Sequence, residues 1–202
     1  MKNVKNVLRA CACLALALPL AARAGDVAAG RIKSESERCQ ECHGADGNGN
    51  GEDGKFARLA GQYPAYIVKE LQDFRSGARK HDLMMIMARS LEKADLADIA
   101  AYYGGLPAMR GGATRGVATP ADTEAALRLF AACTACHGAQ GKGNGNAAFP
   151  VIGGQDATYL RNQLLAWRSG ERRNGPGGAM NDAAKGLTDA EIDLLAHYLS
   201  GR

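Results

Sequence analysis

The pentapeptide Cys39-Gln40-Glu41-Cys42-His43 recurs as Cys133-Thr134-Ala135-Cys136-His137, and no other feature restricts the fold of the chain as tightly. In C-x-x-C-H, two thiols one helical turn apart can each bond a vinyl group of one haem, and the adjoining histidine lies under the iron. Two signatures imply two covalently attached haem c groups. A thioredoxin-type reading would need a βαβ pattern, and a zinc site would need four ligands converging from two knuckles. Neither explains a histidine directly after each second cysteine, and nor does a disulfide within each pair.

The repeat extends well beyond the cysteines. Phe56-Ala57-Arg58-Leu59-Ala60-Gly61-Gln62 answers Phe149-Pro150-Val151-Ile152-Gly153-Gly154-Gln155; Tyr66, Leu71 and Phe74-Arg75-Ser76-Gly77 answer Tyr159, Leu164 and Trp167-Arg168-Ser169-Gly170; Leu91 to Tyr102 answers Leu187 to Tyr198. A tandem duplication of this kind divides the chain into two small units. Between them the Gly- and Pro-rich run from Gly104 to Ala121 breaks helices and reads as a linker. The expected division is 1–24, 25–106, 107–121 and 122–202: export signal, first unit, linker and second unit. Each unit has only about 85 residues, a size at which a bound cofactor helps to build a core. Aromatics make up 5% of the chain, so each haem is expected to supply the large flat apolar body of its unit.

The apolar period is helical throughout. Ile67, Leu71 and Phe74 fall at i, i+4 and i+7, matched by Leu160, Leu164 and Trp167; Leu96, Ile99, Ala100 and Tyr103 are matched by Ile192, Leu195, Ala196 and Leu199. The chain is therefore expected to be all-α, with three main helices per unit: one running into C-x-x-C-H, one after Gly-Gln and one at the end. Thr188-Asp189-Ala190-Glu191 spells a capping box for the last helix, whereas Glu92 to Asp95 lacks the hydroxyl. The Gly-rich stretches Gly47 to Gly51 and Gly141 to Gly145 follow no strand and end in no Gly-Lys-Ser/Thr, so they read as turns around the haem edge and not as phosphate loops.

The N-terminus has the form of an export signal. Lys2, Lys5 and Arg9 precede an apolar run from Ala10 to Leu20, and Ala22-Arg23-Ala24 predicts cleavage before Gly25, into the periplasm. That run is shorter than the roughly 20 residues of a membrane span, so no transmembrane span is expected in the mature chain. Cys11 and Cys13, the two cysteines outside the haem signatures, leave with the signal. The segment also carries Lys2, Lys5, Arg9 and Arg23 and no acid, which leaves 21 basic against 21 acidic residues. A neutral mature polypeptide gives no warrant for a nucleic-acid partner.

With His43 and His137 as one axial ligand each, the second ligand must come from elsewhere. Met180 is the only methionine of the second unit and stands in a Gly-rich stretch, off any helical stripe, seven residues before Leu187. In the first unit Met84 stands seven before Leu91, so register selects it over Met85 and Met87. His81 is the rival ligand, but the second copy has no histidine in the matching stretch, and His81 reads as a surface or propionate-side residue. His197 stands where the first copy has Ala101 and reads as a helix residue with no iron role.

On these residues the chain resembles the dihaem cytochromes of the cytochrome c4 family: two C-x-x-C-H-G units, a Phe-x-x-Leu/Ile-x-Gly-Gln turn in each, and a Met just before Leu-x-x-x-Asp/Glu-Leu/Ile. The resemblance covers residues 25 to 202. It implies two class I cytochrome c folds about a pseudo-two-fold axis, His/Met irons at His43, Met84, His137 and Met180, and haems near the domain junction. It also implies that a backbone carbonyl near Pro150 holds the imidazole below the iron; the first unit has Ala57 at that place. The Gly usual in the first helix falls at Gly30 and has no counterpart around Glu124.

Such a chain is expected to carry electrons without a catalytic residue of its own. Its donors would be a quinol-cytochrome c reductase (cytochrome bc1 complex) or a periplasmic dehydrogenase, and its acceptor a terminal oxidase. The alternative is the haem subunit of a fixed complex, such as a flavocytochrome c sulfide dehydrogenase. The halves are not equivalent: residues 25–112 hold 13 acids and 12 bases, residues 113–202 hold 8 acids and 9 bases, and the stretch before Met180 is longer than that before Met84. The first haem is accordingly expected to have the lower potential.

Overall fold

The structure, a computed structural model, describes residues 25–50, 54–111, 119–145 and 148–202. The expected signal peptide, Gly51 and linker residues 112–118 lie outside them. The first unit contains α1 (Val27–Ser36), α2 (Gln40–His43), α3 (Pro64–Ser76), α4 (Asp82–Ser90) and α5 (Asp95–Gly105). The second repeats the order as α6 (Pro120–Phe130), α7 (Thr134–His137), α8 (Ala157–Ser169), α9 (Ala179–Lys185) and α10 (Asp189–Ser200). Among the described residues there is no strand, and no helix is long and apolar enough to cross a membrane.

The helix that leads into each haem signature is interrupted. Asp26 caps α1 by accepting from the Ala28 and Ala29 N–H groups, and the helix ends where Arg38 turns left-handed (φ 60°), with the Cys39 N–H returning to the Ser34 carbonyl at 2.9 Å. That cap redirects the chain, so the signature starts a separate short helix, α2, with Cys39 at its N-cap and Cys42 inside it. In α1, Gly30 lets the backbone lie directly on α5, since a Cβ there would stand 1.9 Å from the Asp98 carbonyl oxygen. A little further along, the Ser34 hydroxyl meets the Tyr103 hydroxyl at 2.8 Å in the buried contact. The second unit has no glycine at this crossing. There, α6 approaches α10 through Ala126, fully buried beside Phe130, and a methyl is small enough for the wider approach.

The cores follow the periodicity of the sequence. Ile67, Leu71 and Phe74 of α3 pack with Leu96, Ile99 and Tyr103 of α5, while Leu160 of α8 packs with Leu195 and Leu199 of α10. The capping box of α10 forms as spelled, with the Glu191 N–H donating to the Thr188 hydroxyl and the Thr188 N–H to the Glu191 carboxylate. The start of α5 has no side-chain cap on Ala94, and the Glu92 N–H donates to Asp95 instead.

Two helices go beyond the three main ones expected in each unit. The Gly-rich stretch before Met180 predicts irregular chain, but Met180 stands in the first turn of α9; a short 3-10 turn over Pro176–Gly178, with Gly177 and Gly178 at positive φ, leads into that helix. Glycines in such number mask the brief helix behind them. The matching α4 carries Met84 in its own first turn.

The units join through a reciprocal exchange. The Arg58 N–H donates to Gln155 Oε1 (2.8 Å) and Gln155 Nε2 donates to the Arg58 carbonyl (2.9 Å); the Val151 N–H donates to Gln62 Oε1 (3.0 Å) and Gln62 Nε2 donates to the Val151 carbonyl (2.8 Å). Arg58 and Val151 occupy the same place in the two copies, as do Gln62 and Gln155. Swapping the units leaves this pattern of bonds unchanged, which is the signature of a pseudo-two-fold axis.

Candidate functional site

Each C-x-x-C-H is held by the same local construction. The Gly-rich stretch folds back on the signature: the Gly49 N–H donates to the His43 carbonyl (2.8 Å) and the Gly143 N–H to the His137 carbonyl (2.7 Å). One turn earlier the carbonyl of Gly47 accepts from Leu59 and Ala60, and that of Gly141 from Ile152 and Gly153. Both glycines have positive φ, and a Cβ on either would meet the backbone of the returning strand of chain within 3 Å. These closures bring the Phe-x-x-Leu/Ile turn across the histidine.

The imidazoles are thereby fixed in orientation and tautomer. His43 Nδ1 lies 2.8 Å from the Ala57 carbonyl oxygen, and His137 Nδ1 lies 3.0 Å from that of Pro150. A carbonyl only accepts, so Nδ1 carries the proton and Nε2 presents its lone pair. Burial pushes both imidazoles below their ordinary pKa, with the carbonyl contact opposing, and so favours the neutral form that binds a metal. The substitution of Ala57 for proline costs no acceptor. His43 also rests edge-on against Phe56 and Tyr103, with ring centroids 6.5 Å away in each case.

Cys39, Cys42, Cys133 and Cys136 are free, half-buried thiols. Burial raises the Cys39 thiol above its usual pKa, opposed by a bond to Ser34, and raises that of Cys133 as well. Cys39 and Met84 both pack on the first core, and Cys133 packs on the second. Met84 and Met180 are half-buried, so each sulfur-bearing chain comes from a helix other than that of its histidine. The exposed rival His81 caps α4, its Nδ1 accepting from the Met84 N–H at 3.4 Å. His197 stands in α10, where its buried Nδ1 has no hydrogen-bond partner; it is grouped with no haem-signature residue. Two vicinal thiols and a neutral imidazole with a free Nε2 form a donor set that fits a covalently bound haem in each unit.

If the four thiols are spent as thioethers and cleavage precedes Gly25, the mature mass should equal residues 25–202 plus two haems. The denatured holoprotein should titrate no free thiol; one that did would contradict the assignment.

Sequence reasoning missed the charged cluster between the units. Glu70, Arg79 and Arg172 are buried there, with Glu70 Oε2 bonded to both guanidiniums, and Lys69 and Asn174 bonded to the same carboxylate. Arg79 lies over the Phe74 ring and reaches Tyr159 and Gln163; Arg172 lies over the Trp167 ring and reaches Tyr66 and Gln163. The repeat offered one signal, because its register pairs Arg79 with Arg172 and Glu70 with Gln163. Burial alone would raise the Glu70 carboxyl, but the two guanidiniums and the Lys69 ammonium hold it down at about 2.

The cytochrome c family model matches residues 27–106 and again 124–202. The thiosulfate dehydrogenase electron acceptor of Stutzerimonas stutzeri is 36% identical over 209 residues, covering 99% of this chain and 96% of that protein. Cytochrome c4 of Pseudomonas aeruginosa is 38% identical over 189 residues, covering 90% and 91%. The crystal structure of reduced cytochrome c4 from Pseudomonas stutzeri superposes with a TM-score of 0.78 at 36% identity, covering 88% of this chain and 99% of the other.

Proposed function

Because the chain belongs to the cytochrome c family, as a tandem two-domain member of the cytochrome c4 group that carries electrons on two covalently bound haem c groups, we propose that it works in the periplasm between a reductase and an oxidase. In this reading residues 25–106 and 122–202 are the two haem domains, 107–121 the linker, and the chain is exported with cleavage before Gly25. Electrons arrive from the cytochrome bc1 complex or a periplasmic dehydrogenase and leave to a terminal oxidase.

The observation that carries the proposal is the paired orientation of His43 and His137 by Ala57 and Pro150, each with one methionine in matching register. Haem supplies a one-electron couple when bound. The chain's own residues would hold it: His43 and His137 would offer Nε2 to the iron, Met84 and Met180 would offer sulfur, and Cys39, Cys42, Cys133 and Cys136 would carry the thioether bonds. An iron held in this way by two protein side chains would leave no position for substrate, which suits electron carriage.

A second reading has a specific support, namely the relative that accepts electrons from thiosulfate dehydrogenase. On that reading the chain is the haem subunit of a fixed complex with one dehydrogenase, as in a flavocytochrome c sulfide dehydrogenase. Size exclusion of the native protein separates the two. A free carrier elutes alone, without flavin, and its reduced form is oxidised by membranes that contain a terminal oxidase. Elution at the mass of a complex, with a flavin chromophore, would replace the first reading by the second.

A further inference from the structure

A polar pair fills the core of the first domain where the second has an apolar one. Gly30 and Ala126 stand where α1 crosses α5 and where α6 crosses α10, and one turn further on come Ser34 and Phe130. On the opposing helices Tyr103 answers Leu199. All four side chains are buried, none more than 4% exposed. The aromatic ring thus comes from the last helix in one domain and from the first helix in the other, and only in the first domain does it bring a hydroxyl, bonded to that of Ser34 at 2.8 Å. Packing alone does not call for these hydroxyls. A buried hydrogen-bonded pair is worth little more than an apolar pair of the same shape, and such a pair fills the twin.

The hydroxyls stand against the haem signature. The Cys39 N–H donates to the Ser34 carbonyl at 2.9 Å, and Cys39 packs on the core that contains Tyr103. The Tyr103 ring lies edge-on to the His43 ring, centroid to centroid 6.5 Å. Burial pushes the Tyr103 hydroxyl above its ordinary pKa, so it keeps its proton, while the bond from Ser34 acts to lower the Cys39 thiol. A thioether sulfur has no proton and can only accept. The order that uses both hydroxyl protons runs from Tyr103 to the Ser34 oxygen and from the Ser34 hydroxyl to the Cys39 sulfur. Dipoles aligned in this way polarise one another and turn their positive end to the sulfur.

We propose that Ser34 and Tyr103 set the potential of the first haem, raising it through the Cys39 sulfur, and that the second domain has no counterpart to them. No proton leaves either hydroxyl: the iron takes one electron from its redox partner, and the dipoles favour the reduced form. They act against the buried carboxylate of Glu70, which favours the oxidised form in the same domain. The proposal rests on the reading that Cys39 and His43 hold the first haem.

The test is a spectroelectrochemical titration of the holoprotein, the first wave being the one that Met84→His moves. Ser34→Ala/Tyr103→Phe restores an apolar pair and leaves no hydroxyl stranded. It lowers the reduction equilibrium constant of the first wave by about tenfold, the worth of one net hydrogen bond, which is about 59 mV for a one-electron couple. The second wave stays in place. Tyr103→Phe alone keeps the ring and gives a smaller drop in the same direction, since Ser34 then donates unaided. The near-infrared sulfur-to-iron band keeps its full strength in both variants. A first wave that stays or rises, or that moves no more than the second, overturns the proposal, and so does a weakened band, which would assign the drop to Met84. The mass of the peptide that carries Cys39 separates the two failures: with haem attached and the first wave unmoved, the proposal alone falls, and with no haem attached the reading beneath it falls too.

Discussion

Glu70→Gln is expected to destabilise the folded holoprotein by about 3 to 5 kcal/mol, the range for removing one partner of a buried ion pair. The side chain keeps its size but loses its charge and one accepting oxygen, since the amide nitrogen only donates: Arg79, Arg172, Lys69 and Asn174 would be left with a single neutral acceptor at the domain junction. Urea unfolding followed by far-ultraviolet circular dichroism measures it. In Glu70→Gln/Arg79→Met most of the loss should return, since that variant removes one of the stranded guanidiniums at similar volume. A single-variant loss below about 1 kcal/mol, the range of surface pairs, would show that water screens the cluster. The same group sets an acid limit. Its folded pKa near 2 lies below the ordinary 4.5, so the stabilisation is complete above pH 4.5 and is withdrawn as pH falls towards 2. The interval corresponds to about 3 kcal/mol, which Glu70→Gln should no longer lose on acidification.

Met84→His and Met180→His should each lower the potential of one haem and leave the other nearly in place. Thioether ligation holds the potential high, and imidazole in its stead should lower it by of the order of 0.1 V or more, within the roughly 0.8 V that axial ligands span. The oxidised native protein should show the weak near-infrared sulfur-to-iron band, which each variant halves. Met180→Ala with both haems spectrally unaltered would remove Met180 as a ligand. The variants also assign the two waves expected of the native protein, the lower belonging to the first domain. Glu70 supports that order, because it adds a buried carboxylate to the domain where its twin has Gln163. Reversed waves would refute the charge argument alone, and a single unsplit wave would refute inequivalence.

The haem signatures, the duplication, the core stripes and the Thr188 cap were legible because each is local or periodic: a thiol spacing, a 3.6-residue recurrence, a hydroxyl three residues before an acid. Gln62 and Gln155 were legible as a matched pair, but nothing in one dimension says that each glutamine reaches into the other unit. The Glu70 cluster escaped for the same reason. Its two groups, one from each unit, lie 102 to 104 residues apart in the bonds to Glu70, and a Lys-Glu or an Arg in a helical stretch reads as solvated surface until the opposing helix is in place. Helix α4 was hidden by its own apolarity, for Leu83 and Ile86 are 46% and 65% exposed and blur any single stripe. At α9 the preceding glycines suggested irregular chain, yet they supply the positive-φ turn from which the helix starts.

The reciprocal glutamine exchange also bears on the origin of the chain. Each half presents both parts of the bond, an amide that reaches out and a backbone N–H and carbonyl that receive it, so the contact is isologous in kind. Two copies of either half alone would meet the same bonds across a true dyad. A single-haem unit that paired through these bonds would need no new interface on fusion to a second copy. Such a fusion raises the effective concentration of one half for the other, and frees the dyad-related positions to differ, as Glu70 and Gln163 do.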